Sequence, residues 1–80
     1  MLSKLSESSK VVGAKQTRRA LTGGTAAAVF LADDADPRVT EAIRELCVEC
    51  GVPAYDVPSM KELGHVCGIA VGAAVAALVR

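Results

Sequence analysis

The stretch TAAAVFLA, residues 25–32, constrains the fold of this chain more than any other segment. It is apolar almost throughout, it follows Gly24 and it ends at Asp33 and Asp34. Because a short run without polar alternation suits a strand covered on both faces, it predicts the central strand of a sheet with helices on each side. A chain this short buries only about 60–65% of the surface that its unfolded form exposes, so we expect one domain over residues 1–80.

The segments around this strand alternate between helical and extended patterns. Asp36 followed by Pro37 is the N-cap signal of one helix. Glycines mark the predicted ends of the helices. The predicted elements are a short helix over 2–8, an extended link over 10–13, a helix over 15–22, a strand over 25–32, a helix over 37–50, a strand over 52–57, a helix capped by Ser59 and Glu62 that ends at Leu63, a loop over 64–72 and a strand over 73–79. This order predicts a three-layer α/β/α sandwich around a small mixed four-stranded sheet.

Helical periodicity assigns the inward faces of the two longer helices. In the helix over 15–22, Thr17, Ala20 and Leu21 share the inward face. In the helix over 37–50, the predicted inward residues are Val39, Ala42, Ile43, Leu46, Cys47 and Cys50, and the predicted outward residues are Arg38, Glu41, Glu45 and Glu49.

Charge is segregated along the chain. The totals balance at 9 Lys and Arg against 9 Asp and Glu. Residues 1–25, however, carry five of those cations and one acid, a net charge of +4, which leaves −4 on the remainder. Segregation of this kind predicts a positive surface for an anionic partner.

The positive charge is concentrated where a helix begins. Lys15, Arg18, Arg19 and Thr22 are spaced to share one helical face just after Gly13. Each cation at a helix start interacts unfavourably with the helix macrodipole, at a cost of a few tenths of a kcal/mol. An anion bound there interacts favourably with the dipole instead. We expect the N–H groups of residues 13–16 to be free and to form a phosphate site.

Side chains at this helix start can also recognise bases. Lysine donates to guanine O6 and N7, and glutamine both donates and accepts, so Lys15 and Gln16 are candidates for base contacts. Regular A-form RNA hides these base edges in a deep, narrow groove, and a bulge or kink opens it. With almost no aromatic residues for stacking, the loop GIAVG, residues 68–72, is predicted to pack against an extruded base instead. The predicted ligand is distorted RNA.

The cysteines allow a second interpretation. Cys47 and Cys50 have C-x-x-C spacing, and His65 and Cys67 could complete a four-ligand zinc site. Alternatively, Cys47 and Cys50 lie on the apolar face of a helix, where free cysteine packs as a small hydrophobe. Packing is the interpretation we predict, and we expect no metal.

The acidic segment over residues 33–36 allows a third interpretation, a magnesium site. Asp33, Asp34 and Asp36 follow a buried strand, where phosphoryl-transfer enzymes hold magnesium. Turn formation and helix capping explain these acids without a metal, and no nucleophile is placed beside His65. We expect no enzymatic activity and no cofactor.

The chain lacks signals for membranes or secretion. The apolar run over 69–79 is shorter than the roughly 20 residues of a bilayer span, and residues 1–10 lack a secretory pattern. The odd number of cysteines suits a reducing compartment. We expect a cytoplasmic monomer that contacts neither membrane nor DNA.

Three stretches resemble a known family. They are VVGAKQTRRAL, DADP and GVPAYDVPSMKELGHVCGIAVGAAVAAL, and their order is similar to that in the L7Ae/L30e/Gadd45 superfamily of ribosomal and ribonucleoprotein proteins. Within it the chain looks most like the small bacterial YbxF-type members, and the resemblance covers nearly all of residues 1–80. It implies an α/β/α sandwich that binds kink-turn RNA, in which two stems flank a bulge and tandem sheared G·A pairs, in the ribosome or in a structured regulatory RNA.

The resemblance also implies site residues. In the family a glycine, an Asn-Glu pair and a lysine dock a helix start into the major groove at the G·A pairs. Here Lys15 and Gln16 replace Asn-Glu, and Arg19 preserves the cation. The family's aliphatic loop packs against flipped-out bases, and Asp36 matches a base-contacting glutamate of some members, although capping explains it equally well. The predicted RNA-binding residues are Gly13, Ala14, Lys15, Gln16, Arg18, Arg19, Asp36, Gly68, Ile69, Ala70 and Val71.

Two functions of other classes stay open. A protein-interaction module in the manner of Gadd45 would use the acidic surface over residues 33–49. A small zinc protein would use Cys47, Cys50, His65 and Cys67.

Overall fold

A computed structural model describes residues 9–80, so the helix predicted over 2–8 lies outside the described residues. The elements are β1 (Lys10–Val12), α1 (Ala14–Thr22), β2 (Ala26–Ala32), α2 (Pro37–Cys50), β3 (Ala54–Val57), α3 (Met60–Val66) and β4 (Val75–Val79). The predicted order of elements from residue 10 onward is confirmed, and their ends shift by a few residues. Within residues 9–80, no helix is both long enough and apolar enough to cross a bilayer.

The four strands form one mixed sheet in the order β1-β4-β2-β3. Strand β4 is antiparallel to both of its neighbours, β1 and β2, and β2 is parallel to β3. The two apolar strands, β2 and β4, therefore occupy the centre, where both faces are covered. The prediction of a small mixed four-stranded sheet is confirmed.

Helices cover both faces of this sheet. Helices α1 and α2 pack on one face, where Leu21, Ile43 and Cys47 meet Val29 and Val75. Helix α3 packs on the other face, where a second cluster of buried side chains includes Leu63, Cys67, Phe30, Val57 and Ala76. Because successive side chains of a strand point to opposite faces, β2 supplies residues to both clusters. This arrangement is the predicted α/β/α sandwich.

Helix α2 buries a narrower stripe than predicted. Thr40, Ile43 and Cys47 are its buried residues, whereas Ala42 and Cys50, both predicted to point inward, are exposed. Ala42 is rotated by about 100° from Ile43 around the helix, away from the sheet. Cys50 lies in the last turn beside the end of α1, and its Sγ donates to the carbonyl oxygen of Leu21 over 3.5 Å.

A polar residue takes part in that stripe. The hydroxyl of Thr40 donates to the carbonyl oxygens of Asp36 and Pro37, at 3.5 and 3.4 Å. Because these carbonyls belong to the first turn of its own helix, the hydroxyl is satisfied without leaving the core. A search for apolar residues in the sequence misses such a position.

The predicted end of α3 at Leu63 was wrong, because the helix continues to Val66. Gly64 suggested a helix stop in the sequence. In the structure it is a buried helical residue, and a Cβ atom there would overlap the carbonyl oxygen of Val71. Gly64 therefore permits a close approach between α3 and the segment before β4, which no local pattern reveals.

Thr17 generates the first prediction. Its side chain is fully buried, and its hydroxyl has no hydrogen-bond partner among residues 9–80. An unpaired buried polar group costs about 1–3 kcal/mol. We expect Thr17→Val to raise the free energy of unfolding by about 1 kcal/mol, measured by urea denaturation.

Thr22→Val is the matched control, since the Thr22 hydroxyl is exposed and donates to the Arg18 carbonyl over 3.0 Å. This control should change the free energy of unfolding by no more than about 0.5 kcal/mol. A loss of stability in Thr17→Val would contradict the prediction.

Candidate nucleic-acid interface

Helix α1 begins at Gly13 without a side-chain cap. Gly13 has φ 101° and ψ 156°, and no side chain accepts a hydrogen bond from the first turn. The Gly13 N–H donates to the carbonyl oxygen of Val75 over 2.9 Å, so the prediction that it is free was wrong. The N–H groups of Ala14, Lys15 and Gln16 have no intrahelical acceptor and are available for an anion.

Glycine at position 13 is required by the backbone. Its positive φ lies where L side chains are strained, although a Cβ atom would meet no other atom within 4 Å. This conformation turns the chain from β1 directly into α1. It also sets the helix start against Val75, the first residue of β4.

The basic face of α1 is confirmed. Lys15, Arg18 and Arg19 are exposed, and none of them forms an ion pair with a residue between 9 and 80. The first turn contains no acidic residue. A shallow groove of about 620 Å³ along this face is lined by Ala14, Lys15, Arg18, Arg19 and Thr22. The face therefore carries positive charge that no neighbouring acid balances within the described chain.

The aliphatic loop over residues 68–72 is exposed, as predicted, whereas the wider loop predicted over 64–72 begins later because α3 continues to Val66. It follows α3 from Gly68, and its residues up to Gly72 face solvent. The exposed fraction is 36% for Ile69 and 72% for Val71. Large apolar side chains held in water in this way are typical of a contact surface.

Helix α3 holds this loop at both ends. The Ile69 N–H donates to the Gly64 carbonyl and the Ala73 N–H donates to the Met60 carbonyl, each over 3.0 Å. At Gly72, a Cβ atom would come within 3.1 Å of the Met60 side chain. Gly64 and Gly72 thus allow the loop to lie directly against α3, and sequence reasoning assigned them only to a loop.

The sheet brings the helix start and the loop to the same end of the molecule. The carbonyl of Val75 accepts from Gly13, and the carbonyl of Ala74 accepts from Ala32, each over 2.9 Å. The segment that follows the loop is therefore bonded both to the start of α1 and to the end of β2. The sequence alone did not predict that the start of α1 and the aliphatic loop lie at the same end of the sheet.

Asp36 has a structural role at the same end. It is the N-cap of α2, where its Oδ1 accepts from the Arg38 N–H over 2.9 Å. Its carboxylate also pairs with the Arg38 guanidinium, with Oδ2 2.8 Å from Arg38 Nη2. These hydrogen bonds lower the pKa of Asp36 and raise the pKa of Arg38. The carboxylate is thus engaged in capping and pairing.

The neighbouring acids also have local partners. Asp34 Oδ1 accepts from the Met60 N–H over 2.7 Å, which ties the segment after β2 to the start of α3. Asp56 pairs with Arg44 at 2.5 Å, and this contact raises the pKa of Arg44. The outer face of α2 exposes Glu41, Glu45 and Glu49, as predicted.

The four candidate zinc ligands do not come together. Cys47 lies in the core under α1 and α2, whereas Cys67 lies on the opposite face of the sheet. Burial raises the pKa of both thiols, which keeps them protonated. Among residues 9–80, no three His, Cys, Asp or Glu side chains are grouped to hold a metal ion. The sheet thus rules out one site built from both cysteines.

Gly64 generates the second prediction. Gly64→Ala places a methyl group against the Val71 carbonyl, so the loop must shift away from α3. We expect a loss of about 1–3 kcal/mol in the free energy of unfolding. Amide chemical-shift changes should be concentrated at residues 69–73, measured by NMR on the folded variant.

Lys61→Ala is the control on the same helix. Lys61 is exposed, and its replacement should change stability by no more than about 0.5 kcal/mol. Unchanged loop shifts in Gly64→Ala would contradict the role given to this glycine.

Comparison with known proteins matches the whole chain to one family. The model of the ribosomal protein L7Ae/L30e/S12e/Gadd45 family matches residues 1–80. An RNA-binding protein of Geobacillus sp. (strain WCH70) is 50% identical over 70 residues, which are 88% of this chain and 85% of that protein. RNA-binding protein YbxF of Geobacillus stearothermophilus is 47% identical over 70 residues, with 88% and 85% covered. The solved structure of the Giardia lamblia 15.5kD RNA binding protein is similar with a TM-score of 0.92 and 26% identity, over 99% of this chain and 70% of that chain.

Proposed function

Because the chain belongs to the ribosomal protein L7Ae/L30e/S12e/Gadd45 family, we propose that it is an RNA-binding protein that recognises kink-turns. The observation that carries the proposal is the meeting of two features at one end of the sheet. One is the uncapped, unbalanced positive start of α1. The other is the exposed aliphatic loop over residues 68–71. Phosphates suit the first feature and unstacked bases suit the second.

The start of α1 binds phosphate and reads bases in this proposal. The free N–H groups of Ala14, Lys15 and Gln16 point along the helix axis toward an incoming phosphate. The exposed side chains of Arg18 and Arg19 add charge along the same face. Lys15 and Gln16, at the first turn, reach the base edges that sheared G·A pairs expose.

The aliphatic loop contacts the bulge. Bases extruded from a stack need an apolar surface, and this chain has few aromatic residues to provide one. Ile69 and Val71 provide this apolar surface. The small residues Gly68 and Ala70 leave room around them for a base. Hydrogen bonds to α3 hold the loop in place before RNA arrives, so little ordering entropy is lost on binding.

In this proposal Asp36 contributes mainly by capping α2. Its carboxylate is engaged with Arg38, so a direct base contact has to compete with that pair. We include it in the proposed site because capping α2 fixes the segment between β2 and α2 beside the loop. The proposed protein is a non-enzymatic cytoplasmic monomer whose target is a ribosomal or structured regulatory RNA.

Discrimination between two RNAs of equal length is the third prediction. One contains a kink-turn, and in the other the sheared G·A pairs are replaced by Watson–Crick pairs. We expect the unmodified protein to bind the kink-turn at least about tenfold more tightly at fixed moderate salt. Loss of a good base contact costs about 1–3 kcal/mol, so Lys15→Ala with Gln16→Ala should abolish the preference.

Arg44→Ala is the control. Arg44 of α2 pairs with Asp56 of β3, and this variant should leave the preference unchanged. Equal weak binding of the two RNAs by the unmodified protein would contradict kink-turn recognition. Binding unaffected by changes at Lys15 and Arg19 would direct attention to the acidic face of α2 as a protein-binding surface.

Salt dependence separates phosphate contacts from base contacts and is the fourth prediction. Each neutralised phosphate contributes about 0.7–0.9 to the slope of log K against log salt. Arg19→Ala should flatten this slope by about that amount while the preference for the kink-turn persists. Calorimetric or fluorescence titrations at several salt concentrations measure this slope. An unchanged slope in Arg19→Ala would show that Arg19 does not contact a phosphate.

A further inference from the structure

A second groove runs along the other flank of α1. It has a volume of about 350 Å³, and its lining includes Gln16 and Arg19 of α1, Val11 of β1, and Val79 and Arg80 at the end of β4. Gln16 and Arg19 also belong to the proposed RNA-binding surface, so the groove is continuous with that surface. Arg80 was not among the residues predicted from the sequence, because it lies far from the basic cluster along the chain.

The sheet fixes the position of Arg80. Strand β4 starts beside Gly13 and ends next to the last turn of α1. There the Arg80 N–H donates to the Thr25 carbonyl, and the Thr25 N–H donates to the Ala20 carbonyl, each over 2.9 Å. The backbone of Arg80 is thus held beside the C-terminal half of α1.

The two grooves lie on different sides of α1. Helical spacing places Arg18 on the flank nearer α2 and Gln16 on the flank nearer β1 and β4. Arg19 lines both grooves, whereas Arg80 lines only the groove next to β4. The described residues that line either groove include no Asp or Glu. Positive side chains therefore border α1 on both flanks.

We propose that Arg80 is a further RNA-binding residue, which binds a phosphate of the strand that passes along the β4 flank of α1. Arg18 contacts the opposite strand, on the α2 flank. The inference rests on the proposed function, in which the start of α1 enters an RNA groove. A helix in a groove has one sugar-phosphate strand on each side, and each flank of α1 offers guanidinium groups to one of them.

Arg80 suits this role for two reasons. Arginine presents several donors in a planar fork that matches a phosphate, and it stays charged at any working pH. No ion pair with a residue between 9 and 80 occupies its side chain. Its backbone bond to Thr25 uses only main-chain atoms, so Arg80→Ala removes the guanidinium and leaves that bond in place.

The experiment compares Arg80→Ala, Arg80→Lys and Arg44→Ala on a kink-turn RNA with full-length stems. We expect Arg80→Ala to weaken binding about sixfold at 0.1 M salt and to flatten the salt slope by about 0.7–0.9. Arg80→Lys should retain most of the affinity, and Arg44→Ala should bind as the unmodified protein does. Thermal unfolding verifies that each variant is folded.

Hydroxyl-radical footprinting then tests the assignment of strands. Arg80→Ala should expose nucleotides on one strand of the stem, and Arg18→Ala should expose nucleotides on the other. Unchanged affinity and slope in Arg80→Ala, while the unmodified protein still prefers the kink-turn, would overturn this inference alone. Exposure of the same nucleotides by both variants would overturn it as well. Equal binding of the kink-turn and its Watson–Crick counterpart by the unmodified protein would overturn the proposed function, and this inference with it.

Discussion

The hydrogen bond from the Gly13 N–H to the Val75 carbonyl is the contact on which the arrangement of the site depends. It joins the start of α1 to the start of β4, and β4 is bonded on its other edge to β2. Since the aliphatic loop precedes β4 by two residues, the same bond holds the helix start beside the segment that follows the loop. Gly13 allows it by adopting a positive φ, so one residue both ends β1 and orients the positive helix terminus.

The loop depends on a comparable constraint on the opposite face of the sheet. Gly64 lies in α3 where any larger residue would meet the Val71 carbonyl, and two backbone hydrogen bonds hold the loop against α3. Exposed aliphatic side chains are thus carried on a backbone that is already ordered. A surface prepared in this way can receive an unstacked base without the entropy cost of folding a mobile segment.

Sequence patterns predicted the parts of this molecule that depend on periodicity. The buried run of β2, the basic and buried faces of α1 and the Asp36 cap follow from spacing and local chemistry, and the structure has them. The patterns failed where a distant segment decides the outcome. The Gly13 N–H donates to the Val75 carbonyl, Gly64 stays helical with the Val71 carbonyl against it, and Arg80 approaches α1 through strand pairing. None of these contacts lies within one helix or strand.

The segregated charge has a structural consequence. Asp34, Asp36 and Asp56 are engaged by a backbone N–H or an arginine, so their charge is compensated close to where it lies. The exposed glutamates of α2 form no ion pair with a residue between 9 and 80, and neither do Lys15, Arg18 and Arg19 of α1. Helices α1 and α2 pack side by side on one face of the sheet. A polyanion that approaches this face is therefore attracted to α1 and repelled by the outer surface of α2.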